Sequence, residues 1–198
     1  MSVNSFLSKD KDLKYCELRD VCKICVGISF KSGSYRDKGF PLVKVRNIQD
    51  GQITLNNLNY CNPDDYPHSE VIRYGDVVMA KDASCGKVGI NLTDKEFLFD
   101  SHVVKFVPDE KFLTRRYLYH FLLNKQDEIK EMARGSALLG IRKSELERFR
   151  IPVPSLEVQE KISSTLDKFR EIEREINLRD KQYEYYRNYL ITGSRSSQ

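Results

Sequence analysis

Between Ser155 and Thr192 there is no proline and no glycine, and the chain enters this run through Ile151-Pro-Val-Pro154. A proline fixes φ, removes a backbone donor and turns the residue before it away from helix, so the Pro-Val-Pro segment is an extended breaker. Ser155 then stands where a helix cap belongs, Glu157 lies in the first turn, and Gly193 supplies a stop. Ile162, Phe169, Ile176, Tyr183 and Leu190 recur every seven residues. Their companions in the heptad are Val158, Thr165, Ile172, Arg179 and Tyr186, mostly apolar, which makes a coiled-coil seam. A helix of about 36 residues rises about 54 Å. One helix that long has more seam than a domain of this size can cover, so it calls for a partner. The alternative is a helix lying along its own domain.

The residues before the break have another character. A chain of 198 residues suits one domain with an appendage, and this one divides into 1–150 and 151–198. Its composition, 40% hydrophobic and 11% aromatic, supports a packed core rather than disorder. No apolar run approaches the roughly 20 residues that span a bilayer. The opening MSVNSFLSKDKDLKY is polar and lacks the apolar region of a signal peptide. A cytoplasmic protein without a membrane partner is expected.

Net charge is +4, and its distribution says more than its size. Residues 151–198 carry eight basic and eight acidic side chains, so the whole excess lies in residues 1–150. Lys31 to Asn47 alone holds five basic residues and one acid. Such a concentration is the electrostatic footprint of a phosphate-binding surface. The five cysteines are an odd number, and reduced thiols are expected. Cys22-x-x-Cys25 has no second pair at metal spacing, so no metal site is assigned.

Periodicity places a short amphipathic helix over Leu13–Val26, a strand over Leu42–Ile48, and a hairpin through Asp50-Gly51 into Gln52–Leu55. Asn56–Pro67 reads as irregular. Ile72–Ala80 and Phe97–Val107 read as strands, with KDASCGK a tight connection between the first of these and VGINL. Arg115–Met132 is a predicted helix, Arg134–Leu139 a loop and Arg142–Arg150 a further short helix.

Catalytic motifs fail on inspection. Gly86-Lys87 resembles the end of a phosphate loop, but Lys81 stands where its first glycine belongs and Val88 replaces the Ser/Thr. Asn62-Pro63-Asp64-Asp65-Tyr66 lacks the second proline of an amino-methyltransferase motif. Asp64, Asp109, Glu110 and Lys111 do not form a nuclease cluster, because adjacent strand residues point to opposite faces. No catalytic residue is assigned. What remains is binding chemistry on three loops. Lys31, Ser32, Tyr35 and Arg36 lie on a glycine-punctuated loop that leads into Lys44, Arg46 and Asn47. Lys81, Ser84 and Lys87 form a second group, and Arg134 with Ser136 a third. Lysine neutralises phosphates, while Arg and Asn also reach base edges with paired hydrogen bonds.

GISFKSGSYRDKGFPLVKVRNIQDG (27–51), YGDVVMAKDASCGKVGI (74–90) and RGSALLGIRKSELERFRIPVPSLEVQEKISSTLDKF (134–169), with the helix that follows, resemble the specificity (S) subunits of type I restriction–modification systems. IPVPSLEVQEKI is the most specific element. The resemblance implies an α+β fold: a target recognition domain with a twisted, mainly antiparallel β-sheet and flanking helices, then a long C-terminal coiled-coil helix. It implies a non-catalytic subunit that reads half of a split site in double-stranded DNA and docks methyltransferase subunits, with a restriction and motor subunit as a further partner. S-adenosylmethionine, ATP and Mg would belong to those partners and no cofactor to this chain. Family members usually carry two domain–helix units, whereas this sequence has one and no internal repeat. A half-subunit pairing as an antiparallel homodimer through the seam, and a fragment of a longer subunit, both fit. Rival readings are the specificity subunit of a combined cleavage and methylation enzyme, and a coiled-coil assembly module that does not read DNA.

Overall fold

The computed structural model describes residues 13–193 apart from 31, 68, 83 and 135–139, with the side chains of Ser32 and Arg134 also left out. Lys14–Glu17 (β1), Leu18–Val21 (α1) and Cys22–Val26 (β2) replace the helix expected over 13–26. The reason is tertiary. Lys14 to Glu17 pair antiparallel with Val153 to Arg150, and Cys22 to Val26 pair with Pro108 to Val104. Ladder hydrogen bonds and two-sided burial override a weak helical spacing.

The remaining strands are Phe40–Val43 (β3), Ile48–Gln49 (β4), Gln52–Ile53 (β5), Asn59–Cys61 (β6), Val77–Ala80 (β7), Val88–Ile90 (β8), Leu98–Phe99 (β9), Val103–Pro108 (β10) and Arg150–Val153 (β11). They form a six-stranded sheet in the order β2-β10-β7-β8-β5-β4, a three-stranded sheet β6-β3-β9 and the pair β1-β11. Most pairings are antiparallel; β5 with β8 and β3 with β9 are parallel. Alternation along the central strands feeds two cores. Ile24, Val77, Met79, Val104 and Phe106 face the helices, while Cys25, Val78, Ala80 and Val103 face the small sheet. Lys105 falls on a buried position, where its ammonium donates to Val71 O at 2.7 Å and Glu70 Oε2 at 3.2 Å and lies 3.5 Å from Asp76. All five cysteines are free, and burial pushes the Cys22 thiol up to about 12.

The helix expected over Arg115–Met132 is two, Arg115–Asn124 (α2) and Gln126–Arg134 (α3), interrupted at Lys125. Thr114 caps α2 by accepting from Tyr117 N. Lys143–Glu147 (α4) is the predicted short helix, and Leu156–Thr192 (α5) is the long one. Among the described residues no helix is long and apolar enough to cross a membrane.

The first turns of α5 correct part of the seam. Ile162 belongs to the main core with Val158 and Leu166 packed beside it, so Val158 and Ile162 face their own domain and not a partner. Gln159 is fully buried: its Oε1 accepts from Thr114 N at 2.9 Å, and its Nε2 donates to Phe112 O and Pro154 O at 2.7 and 2.9 Å. Beyond this footing the seam is bare, with Phe169 at 63%, Ile176 at 54% and Leu190 at 78% exposure. Ile172, Tyr183 and Tyr186 are exposed with them.

Asp167 clamps α5 to α2. Arg116 donates to both of its oxygens, and His120 Nε2 lies 2.7 Å away. Burial raises the Asp167 carboxyl, but the hydrogen bonds from Arg116 and His120 outweigh it and hold the group below its usual range. Burial pushes His120 below the usual imidazole range, with Asp167 pulling the other way. Below its ordinary pKa of about 6.5, the unfolded chain therefore takes up a proton at His120 that the folded chain resists. Stability is lost as pH falls through that window. Asp167 adds a loss in the same direction below about pH 4, where its ordinary value lies. The melting temperature is expected to drop between pH 7.5 and pH 5, and His120→Gln to shrink that drop; identical pH profiles for the two proteins would contradict this account.

Candidate nucleic-acid interface

Three loops meet on the turn Asp100-Ser101-His102, between β9 and β10. Asp100 N donates to Val43 O at 3.1 Å, tying the turn to the end of β3. Ile28 bridges Asp100 in parallel, and Gly27 N donates to Val103 O at 3.1 Å. A Cβ on Gly27 would lie 2.1 Å from Asp100 O, so only glycine lets the strands close here. On the other side, Lys81 N donates to His102 O at 2.9 Å. Asp82 then joins the next loop by a bridge to Gly140, and Ile141 N donates to Lys81 O at 2.8 Å.

Polar side chains cluster on this hub. Lys44 Nζ donates to Tyr35 Oη at 2.7 Å and lies 4.0 Å from the ring centroid. Tyr35 itself rests on the small-sheet core with Phe30 and Tyr66. Asp82 Oδ2 accepts from Lys81 Nζ at 2.5 Å and sits 3.0 Å from His102 Nδ1, which leaves the outer edge of an exposed imidazole free of that contact. Burial pushes the Asp100 carboxyl above its usual range, against the His102 N–H and the charges of His102 and Lys44. The lysines are oriented and not consumed, because each ammonium has three donors and, among the described residues, engages one hydrogen-bond partner.

The strand expected over Leu42–Ile48 ends at Val43, and Val45–Asn47 forms a 3₁₀ turn. The strict alternation of Lys44 and Arg46 against Val45 and Asn47 is therefore lost. Arg46 Nη2 donates to Asn57 O at 2.8 Å and Asn59 Oδ1 at 2.6 Å, and Arg36 N donates to Tyr60 O at 2.9 Å. Both arginines are thereby placed along the small-sheet flank, with exposed side chains. Asn47 is a correction: it is fully buried, accepts from Lys44 N at 3.1 Å and donates to Asn56 O at 2.9 Å, so its amide holds the turn and faces no ligand. Ser84 and Lys87 are exposed on the β7–β8 turn, whose back rests on α3 through Val88 N and Gln126 Oε1. Ser32 lies in the 3₁₀ turn Ser32–Ser34, and Arg134 ends α3 instead of opening a loop. Lys31 and Ser136 lie outside the described residues.

Sequence reasoning missed the hub. Asp100 and His102 stood only in a short polar break between two strand-like runs, FLF and VVKFV, and Asp82 in the KDASCGK connection. Phe97–Val107 read only as strand, and nothing local showed that its polar break would become the meeting point of loops far apart in sequence.

The chain as a whole resembles known proteins. A sequence profile for the type I restriction modification DNA specificity domain matches residues 10–181. The specificity subunit of the type I restriction enzyme EcoR124I/EcoR124II from Escherichia coli is 36% identical over 96 residues, 43% of this chain and 24% of that protein. The MjaVIII specificity subunit of Methanocaldococcus jannaschii is 25% identical over 197 residues, 92% of this chain and 46% of that one. The chain thus spans between a quarter and a half of the length of these relatives. The HsdS subunit of Thermoanaerobacter tengcongensis shares the fold with a TM-score of 0.67 at 22% identity, covering 85% of this chain and 42% of that one. A chain from a structure of type I R-M complex assembly and conformational transition gives 0.74 at 22% identity, over 91% of this chain and 44% of that one.

Proposed function

The chain belongs to the family of type I restriction-modification DNA specificity domains, and from that premise we propose that it reads one half of a bipartite site in double-stranded DNA and positions methyltransferase subunits there. The observation that carries this reading is the convergence of Tyr35, Lys44, Lys81 and His102 on the Asp100–His102 turn. Cations and hydroxyls held in place by their neighbours suit phosphates, while the exposed Arg36 and Arg46 have the paired donors that base edges require. Ser84 and Lys87 extend the same surface.

The chain acts as an antiparallel homodimer through the bare part of α5. A two-fold axis between residues 177 and 178 sets Phe169 against Tyr186, Ile172 against Tyr183, and Ile176 against Arg179. Arg179 tolerates that position because its stem is apolar while its guanidinium is turned to Glu175, at 2.7 Å. A helix of 37 residues is about 56 Å long, or about 16 base pairs. Two end-mounted domains then face separated half-sites related by two-fold symmetry. Methylation with S-adenosylmethionine, and any ATP- and Mg-dependent cleavage, belong to partner subunits.

Methylome sequencing of the host would supply the native site. The chain, assembled with its methyltransferase subunit, is expected to bind that site with a strong salt dependence and to need both half-sites. Absent or salt-insensitive binding in that complex would overturn the proposal in favour of an assembly module that does not read DNA.

A further inference from the structure

The β4–β5 hairpin reverses at Asp50-Gly51, where φ is +48° and +74°, the two left-handed residues of a type I′ turn. Its carbonyls are held from two sides. Tyr119, buried on α2, donates from Oη to Gly51 O at 2.9 Å. Arg170 on α5 donates from Nη2 to Asp50 O at 2.7 Å, with its guanidinium carbon 5.8 Å from the Tyr119 ring centroid. One turn further along α5, Arg174 reaches the same hairpin. With the Gln52 amide oxygen facing the helix, it accepts from Arg174 Nη2 at 3.0 Å and Nε at 3.1 Å. A Cβ on Gly51 would lie 2.6 Å from Arg170 Nη2 and 2.7 Å from Tyr119 Oη, so the three groups close on one point.

The location gives this node a consequence. The hairpin follows directly on the turn that carries Arg46 and Asn47, and among the described residues Arg174 is the last of α5 with a hydrogen bond to the domain. From there to Thr192 the helix runs about 27 Å. A tilt of about 7° at the node sweeps the far end by about 3.4 Å, one base-pair step. Ile162 and Leu166, the Gln159 hydrogen bonds and the Asp167 clamp hold the first turns of the helix on the domain, and beyond them two charged donors on carbonyl and amide oxygens of the hairpin set its angle.

We propose that Arg170 and Arg174, with Tyr119 and the Asp50-Gly51 turn, are positioning residues that set the angle between recognition domain and spacer helix, and thereby the spacing of the two half-sites that the protein accepts. The inference rests on the bipartite reading above. Arg170 and Arg174 touch no DNA in it.

Two readouts on one preparation test it. The chain, assembled with its methyltransferase subunit, is given a library of sites whose half-sites are constant and whose spacer varies in length. Separately, pulsed EPR measures the distance distribution between spin-labelled amino acids at exposed Lys95 and Lys181, in complexes diluted with unlabelled chain. The native protein is expected to prefer one spacer length and give a narrow distance distribution. Arg170→Met with Arg174→Met should broaden that distribution, and the preference for the best spacer over its one-base-pair neighbours should fall about tenfold. Should the double variant lose its fold by circular dichroism, Arg170→Lys carries the same two readouts with a smaller change expected. A distribution as narrow in the variant as in the native protein overturns the node. A broadened distribution with an unchanged single spacer overturns its role in spacing. If the native complex methylates no spacer in preference to another, the bipartite reading fails and the spacing role falls with it, whatever the EPR shows.

Discussion

Ile176→Asp is expected to turn a two-copy assembly into single chains while leaving the recognition domain folded. Ile176 is 54% exposed in one chain, so the substitution costs a lone domain little. In the proposed pair it sits beside the two-fold axis, and both copies bring the carboxylate into the seam together. An unpaired charge buried there costs about 3–5 kcal/mol, and two such charges raise the dissociation constant at least about 10³-fold. Sedimentation should show the native chain as a dimer and the variant as a monomer with the same melting temperature for its domain. A dimeric variant would mean that the seam is not the interface. Methylation of the bipartite site should disappear with the dimer, and methyltransferase binding to a single chain should persist.

Replacing Lys44 and Lys81 together with Gln is expected to weaken DNA binding about 30-fold at physiological salt. Each lost phosphate contact removes about 0.9 from the slope of log affinity against log salt. At 0.15 M salt that slope corresponds to about fivefold in affinity per contact. The slope should therefore decrease in magnitude by about 2, equally on specific and unrelated sequences, since phosphate contacts carry no sequence information. Arg46→Ala should instead relax preference at one position of the half-site. Its partners, the exposed Asn57 and the half-buried Asn59 at the start of β6, lose little by turning to water. An unchanged salt slope in the lysine double variant would place the phosphate contacts elsewhere on the domain.

The two halves of the chain differ in how far local chemistry settles structure. From Ser155 onward, absence of Pro and Gly, a capping serine and a seven-residue apolar repeat specify a helix whatever surrounds it, and α5 ends at Gly193 in the left-handed region as read. The hairpin at Asp50-Gly51 was legible for the same reason, since few residue pairs accept two positive φ values. Leu13–Val26 was not. Its apolar spacing suits a helix, but Lys14–Glu17 and Cys22–Val26 are strands because Arg150–Val153 and Val103–Pro108 offer them ladders from the far side of the chain. The same dependence on distant partners governs the interface.

A long seam-bearing helix behind a Pro-Val-Pro break, a β-rich domain before it, and a surplus of basic residues on glycine-punctuated loops are all written in local residue order. Folding settles which of those residues meet. It brought Lys44, Lys81 and His102 to one turn, withdrew Asn47 into the core, seated Val158 and Ile162 on their own domain, and tied Arg170 to a hairpin 120 residues away. Helix periodicity and turn chemistry act within a few residues, so a sequence displays them directly. Which loops share a sheet end is set by strand pairing between distant segments, and no local pattern encodes it.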